Sequence, residues 1–208
     1  MLDNLTRRWV APPLNALARV VLKTGLSPNQ VTLIGFGIGL GCIPALAMRM
    51  YPLAGALLVI NRILDGLDGV MARQKGSTAF GGYLDIVCDM LFYGGFVFGF
   101  ALAQPENALW AAGLLFAFLG TSASFLAYNG LNSNEKDPEG RSFFFLAGLA
   151  EGTETILCFG AMLFLPHLFA ILAIVYSVIC HMTTLSRLIL VKKRLQKTTS
   201  QTHSQKNS

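Results

Sequence analysis

Asp65, Asp68, Asp85 and Asp89 gather four of the chain's 11 acidic residues into one short stretch of a sequence that is 53% hydrophobic. The spacing is helical. Asp65, Asp68 and Ala72 fall at i, i+3 and i+7, and Gly81, Asp85 and Asp89 at i, i+4 and i+8, so each set forms one stripe on a helix. A short polar turn separates the two sets, and the two stripes can therefore face each other. Four carboxylates meeting in a low-dielectric site repel one another and need cations or protons. All-oxygen donors without His or Cys select hard divalent ions such as Mg²⁺, Mn²⁺ or Ca²⁺. Gly69, Ala72, Gly81 and Gly82 leave the surface beside the acids almost bare, and Arg73 adds a fork-shaped donor suited to phosphate. Metal, phosphate donor and room for a bulky ligand together point to phosphoryl transfer. The competing chemistry is an ion or proton relay across a membrane. Relays of that kind place their acids near the bilayer midplane, whereas these lie at the ends of apolar runs.

The elements that must position these acids are membrane helices. The chain has 208 residues with only 13% charged and a mean hydropathy of +0.55, too apolar for a water-soluble domain. Residues 1–25 read as an amphipathic leader lying on the membrane, with Trp9 at headgroup level and a helix broken near Pro12 and Pro13. Arg7, Arg8 and Arg19 interrupt any cleavable signal. Ser27 is a candidate N-cap with Pro28 at the first helical position. Apolar spans follow at about 31–48, 52–68, 80–103, 108–128, 142–165 and 168–190. The basic stretch 191–208 reads as a disordered tail. The fold class is thus all-α integral membrane, a single domain over 1–190 with six spans. Outside the spans, Lys and Arg concentrate on one side, which puts both termini and the Asp65–Asp89 turn in the cytoplasm. The net charge of +5 belongs to membrane-flanking residues and implies no nucleic-acid partner. Cys42, Cys88, Cys158 and Cys180 are scattered through apolar runs and read as small buried hydrophobes.

Asp65-x-x-Asp68-Gly69-x-x-Ala72-Arg73, followed by Gly81-x-x-x-Asp85-x-x-x-Asp89, resembles the signature of the CDP-alcohol phosphotransferases at every fixed position. The wording of the chain, including Gly152-Thr153-Glu154, is most similar to a bacterial inner-membrane branch. The resemblance implies cleavage of the pyrophosphate of a CDP-linked lipid or alcohol, release of CMP and transfer to a hydroxyl acceptor. It implies Asp65, Asp68 and Asp85 as ligands to Mg²⁺ or Mn²⁺ (two ions), with Asp89 as general base and potential further ligand. Gly69, Ala72, Arg73 and Gly81 would border the CDP moiety. CDP-diacylglycerol is the favoured donor, a small polar alcohol the acceptor and the bilayer the setting. Transfer of a phospho-alcohol onto diacylglycerol is the alternative direction. Homodimers are common in the family, and nothing in this sequence decides the matter here.

Charges elsewhere in the spans are candidates for an acceptor pocket. Glu151 and Glu154, at i and i+3, would sit more than two turns inside the fifth span, an expensive place for charge. Arg62, one turn before Asp65, is expected to pair with a motif carboxylate or a phosphate. Lys75 and Arg141 are cytoplasmic cations that an acceptor phosphate would suit, although plain membrane-flanking charge explains them equally well.

Overall fold

The computed structural model describes residues 3–131, 150 and 152–206, and the side chains of 11–131, 150 and 152–196. Every regular element among them is helical: α1 (Asp3–Lys23), α2 (Pro28–Leu40), α3 (Cys42–Ala47), α4 (Tyr51–Lys75), α5 (Ala79–Ala103), α6 (Ala108–Leu131), α7 (Gly152–Phe164) and α8 (Phe169–Lys206). Short 3₁₀ turns at Pro105–Asn107 and Pro166–Leu168 join α5 to α6 and α7 to α8.

By length and composition four segments are apolar enough to cross a membrane: Pro28–Ala47, Ala79–Ala103, Pro105–Leu131 and Pro166–Gln196. The six expected spans thus meet four that qualify. The other two differ for separate reasons. α4 is 25 residues long but carries Arg62, Asp65, Asp68, Arg73 and Lys75. α7 is apolar but has only 13 residues, and the preceding stretch 132–149 lies outside the described residues.

Local chemistry explains the boundaries. Ser27 caps α2 as expected. Its hydroxyl accepts from the Gln30 amide, the Gln30 side chain accepts from the Ser27 amide, and Pro28 stands at the helix start. This reciprocal pair satisfies two orphan donors. The first span is jointed: Pro44 has no N–H to offer Leu40, and the chain tightens at Gly41, whose amide bonds Ile38 O at 3.0 Å. Two residues beyond the end of α3 stands Arg49, the one non-glycine residue with positive φ among those described (57°). Arg49 offsets that strain by donating from Nε to Ala103 O (3.0 Å), a carbonyl in the last turn of α5.

Two expectations are corrected. α1 runs unbroken through Pro12 and Pro13. Both are exposed, so the strain they introduce need not be fitted against a neighbouring helix. At the other end α8 continues to Lys206, through the stretch expected to be a disordered tail. Lys, Arg, Leu and Gln between 192 and 197 are good helix formers and let the last span run on.

The main core is aromatic. Phe96 stacks on Phe159 with ring centroids 4.2 Å apart, and Phe100 on Phe169 at 4.7 Å, joining α5 to α7 and α8. A smaller core of Ala18, Val31, Leu67, Val70 and Met71 ties α1 and α2 to α4. α4 is therefore held from both sides, which fixes the end that carries Asp65 and Asp68.

Candidate active site

The motif acids enter from two helices, as their spacing predicts. α4 supplies Asp65 and Asp68 in its C-terminal half, and α5 supplies Asp85 and Asp89 near its start. Thr78 begins α5 by accepting the Gly81 amide at 3.0 Å. Asp65, Asp68 and Asp89 line a cleft of about 220 Å³, solvent-open space included, together with Thr32 and Gly35 of α2 and Asn61 of α4. Asp68 is 4% exposed, and its Oδ2 is buried with no hydrogen-bond partner. Asp85 lies half-buried one turn before Asp89.

Arg62 reaches into the same space. Its Nη2 bonds Asp89 Oδ1 at 2.8 Å, and its Nη1 lies 3.5 Å from Asp65 Oδ2. Nη1 also donates to the Tyr93 hydroxyl (3.1 Å) and Nε to Asn61 Oδ1 (2.8 Å). The guanidinium lies 4.8 Å from the Phe92 ring centroid and 5.4 Å from that of Tyr93. The expected pairing of Arg62 with a motif carboxylate is therefore present, and with two of them.

The small residues behave as their type suggests. A Cβ on Gly81 would meet Asn29 Oδ1 and Thr78 Oγ1, both at 3.0 Å, so glycine lets the start of α2 close on the start of α5. Beside Gly69 the nearest side-chain atom is Arg73 Nη1, 3.5 Å from a built Cβ, so Arg73 folds back over the bare surface. Arg73 itself is exposed and Ala72 half-buried. These four flank the acids at the mouth of the α4–α5 turn.

The acceptor candidates scatter. Lys75 is exposed and donates to Leu26 O at 3.4 Å, tying α4 to the turn before α2. Glu154 stands in the first turn of the described part of α7, and most of the earlier half of the expected fifth span lies outside the described residues. It is half-buried and does not line the cleft. Glu151 and Arg141 fall outside the described residues. Sequence reasoning missed Asn61, Tyr93, Thr32 and Asn29. Asn61 had a readable signal, since an amide in an apolar run beside an intramembrane arginine requires a partner. Tyr93 gave none, because tyrosine is common in such helices.

The donor set suits a hard divalent ion: carboxylate oxygens, with one buried oxygen of Asp68 unpartnered. Among the described residues no three His, Cys, Asp or Glu side chains already form a ligating group. The convergence expected of all four acids is thus incomplete, and Arg62 stands between Asp65 and Asp89.

Comparison with known proteins identifies the family. The family model for CDP-alcohol phosphatidyltransferase matches residues 26–185. An inner membrane protein of Escherichia coli (strain K12), YnjF, is 45% identical over 192 residues, covering 90% of this chain and 93% of that protein. Archaetidylinositol phosphate synthase of Pyrococcus horikoshii is 38% identical over 97 residues, 46% of this chain and 52% of that enzyme. In fold, the chain is similar to Mycobacterium tuberculosis phosphatidylinositol phosphate synthase with CDP-DAG bound (TM-score 0.68, 21% identity, 84% of this chain and 91% of that one). The same enzyme in complex with manganese and citrate gives a TM-score of 0.69 at 22% identity, over 84% and 87% of the two chains. With the complete motif on two facing helices and a family model spanning most of its length, the chain belongs to the CDP-alcohol phosphatidyltransferase family.

Proposed function

We propose that the protein is a multi-pass enzyme of a bacterial inner membrane that transfers a phosphatidyl group from CDP-diacylglycerol to a small polar alcohol and releases CMP. The observation that carries this reading is the cleft between α2, α4 and α5. There Asp65, Asp68 and Asp89 face one space, Asp68 holds a buried unpartnered oxygen, and Arg73 covers the bare surface of Gly69. The Escherichia coli relative is an inner membrane protein, and the related mycobacterial enzyme binds CDP-DAG, which supports the donor and the setting. Six passes are part of the proposal, with α2 and α3 as one jointed span and α4 and α7 as the two that fall short on charge or length. Both termini and the motif turn then face the cytoplasm, with the tail of α8 carrying its basic residues there.

Asp65, Asp68 and Asp85 would hold Mg²⁺ or Mn²⁺, whose chemistry when bound is to neutralise the pyrophosphate and the departing CMP. The chain's own residues do the rest. Gly69, Ala72, Arg73 and Gly81 admit the CDP portion, Arg73 donating to a phosphate oxygen. The acceptor hydroxyl gives its proton to the Asp89 carboxylate as its oxygen bonds to the phosphorus next to diacylglycerol. The bond from that phosphorus to the bridging oxygen breaks, and its electron pair leaves with CMP. The apolar, half-exposed helix faces on either side of the cleft accommodate the acyl chains.

The acceptor reading favours an alcohol without phosphate. Among the described residues, Arg62 is engaged with Asp65 and Asp89, Lys75 with Leu26 O, and Arg187 of α8 with Thr121 O. A phosphorylated acceptor asks for cations that are not already engaged. The test is purified protein with CDP-diacylglycerol, a divalent ion and a panel of plain and phosphorylated alcohols, read by mass spectrometry of the lipid. A new phosphatidyl-alcohol from an unphosphorylated acceptor is expected. Product only from phosphorylated polyols would overturn the acceptor reading. Product only from a CDP-alcohol with diacylglycerol would reverse the direction of transfer.

A further inference from the structure

Arg62 is built into the acidic cluster more firmly than a pairing of opposite charges requires. Four groups fix its guanidinium: Asn61 Oδ1 at 2.8 Å, the Tyr93 hydroxyl at 3.1 Å, Asp89 Oδ1 at 2.8 Å and the face of Phe92 at 4.8 Å. Asn61 is itself 3% exposed and anchored through Nδ2 to Gly35 O at 2.8 Å. The room for this arrangement comes from Gly39 of α2. A Cβ there would lie 2.7 Å from Asn61 Nδ2 and 2.7 Å from Phe92 Cδ2, closer than any side chain tolerates. One glycine thus makes space for two of the groups that hold the arginine, Asn61 and Phe92. Apart from Asp89, none of these supports belongs to the Asp65–Asp89 motif.

We infer that Arg62 is a tethered cation of the acidic cluster, which positions Asp89 and competes with a divalent ion for the charge of Asp65 and Asp89. The hydrogen bond from Nη2 takes Oδ1 of Asp89 and leaves Oδ2 as the oxygen for the acceptor's proton. The carboxylates divide accordingly. Asp68, with its unpartnered oxygen, is left to a metal ion, while Asp65 is shared. A fixed positive charge at this range repels a divalent ion strongly in a poorly screened site. Removing it tightens metal binding and at the same time frees Asp89 to drift. Merely structural arginines do neither. The inference rests on the proposed function only for the class of ion.

The experiment is titration of the full chain in detergent with Mn²⁺ alone after chelation, followed by loss of the free-ion electron paramagnetic resonance signal. Arg62→Gln is expected to bind Mn²⁺ about tenfold more tightly than wild type or better, whereas Arg62→Lys, which keeps the charge, stays within about threefold. In CMP-release assays Arg62→Gln lowers kcat while KM for the CDP donor holds, because donor contacts lie elsewhere. If Arg62→Gln does not fold, Arg62→Met, which fills the space between the rings, takes its place. Equal or weaker Mn²⁺ binding by the uncharged variant overturns the inference, as does absence of binding by both proteins. Tighter binding with no CMP release from wild type would leave the role of Arg62 standing and remove the proposed reaction.

Discussion

At Asp68 a carboxylate oxygen is buried without a hydrogen-bond partner, a condition that costs several kcal/mol for an ionised group (about 3–5 where one partner of a buried pair is missing). Such an atom persists where something else is served, here a ligand. Asp68→Asn, which keeps the shape and removes the charge, is expected to lower CMP release by about 100-fold or more, as loss of a key electrostatic group does. Thermal stability without added metal stays equal or rises, because burying a neutral amide costs less than burying a carboxylate. The two readouts are a CMP assay and a melting curve in detergent. Close by, Gly39→Ala would push a methyl into Asn61 and Phe92. Overpacking of that kind costs about 1–3 kcal/mol, so both melting temperature and activity fall. Gly37→Ala, on the same helix with nothing within 4 Å, should change neither. The motif acids, their helical stripes and the pairing of Arg62 were legible from residue type and spacing. The cradle around Arg62 was not, because Gly39, Asn61 and Tyr93 come from three helices that only the packing brings together.

Among the elements, those with local chemistry were readable and those set by context were not. Ser27 and Pro28 announce the start of α2, and the structure places it there. Ser27→Ala removes one half of the capping pair and is expected to cost about 1 kcal/mol, measurable as faster amide exchange in the first turn of α2 with the rest of the chain unaffected. Uniform exchange across all helices would show that the cap has no local role. Pro12 and Pro13 misled in the opposite sense. Proline weakens a helix wherever it falls, but whether the helix breaks depends on what packs against it, and no sequence pattern states that. The described part of α7 begins at Gly152, and just before it the Ala150 N–H donates to Thr183 Oγ1 of α8 at 2.9 Å. Glu154 lies in the first turn of that part.

For the whole molecule, composition and charge asymmetry identified an all-helical membrane protein, but the count of passes depends on α4 and α7, whose charges and length defeat a hydropathy rule. The topology is testable with single cysteines. Cys42, Cys88 and Cys180 are buried and Cys158 half-buried, so background labelling should be low. Ser77→Cys in the motif turn is expected to react with an impermeant maleimide only from the cytoplasmic side, and Glu106→Cys between α5 and α6 only from the opposite side. Labelling of both from one side would remove the proposed pass through α5. The central claim is that the α2–α4–α5 cleft carries out phosphatidyl transfer with Asp89 as base and a divalent ion as the charge partner of the other acids. The most direct measurement is CMP release from CDP-diacylglycerol by the purified protein with a suitable alcohol, with and without Mn²⁺ or Mg²⁺, compared with Asp89→Asn. Divalent-dependent release, reduced by about 100-fold or more in Asp89→Asn, is the predicted result. Release that needs no divalent ion, or that survives Asp89→Asn intact, would contradict it.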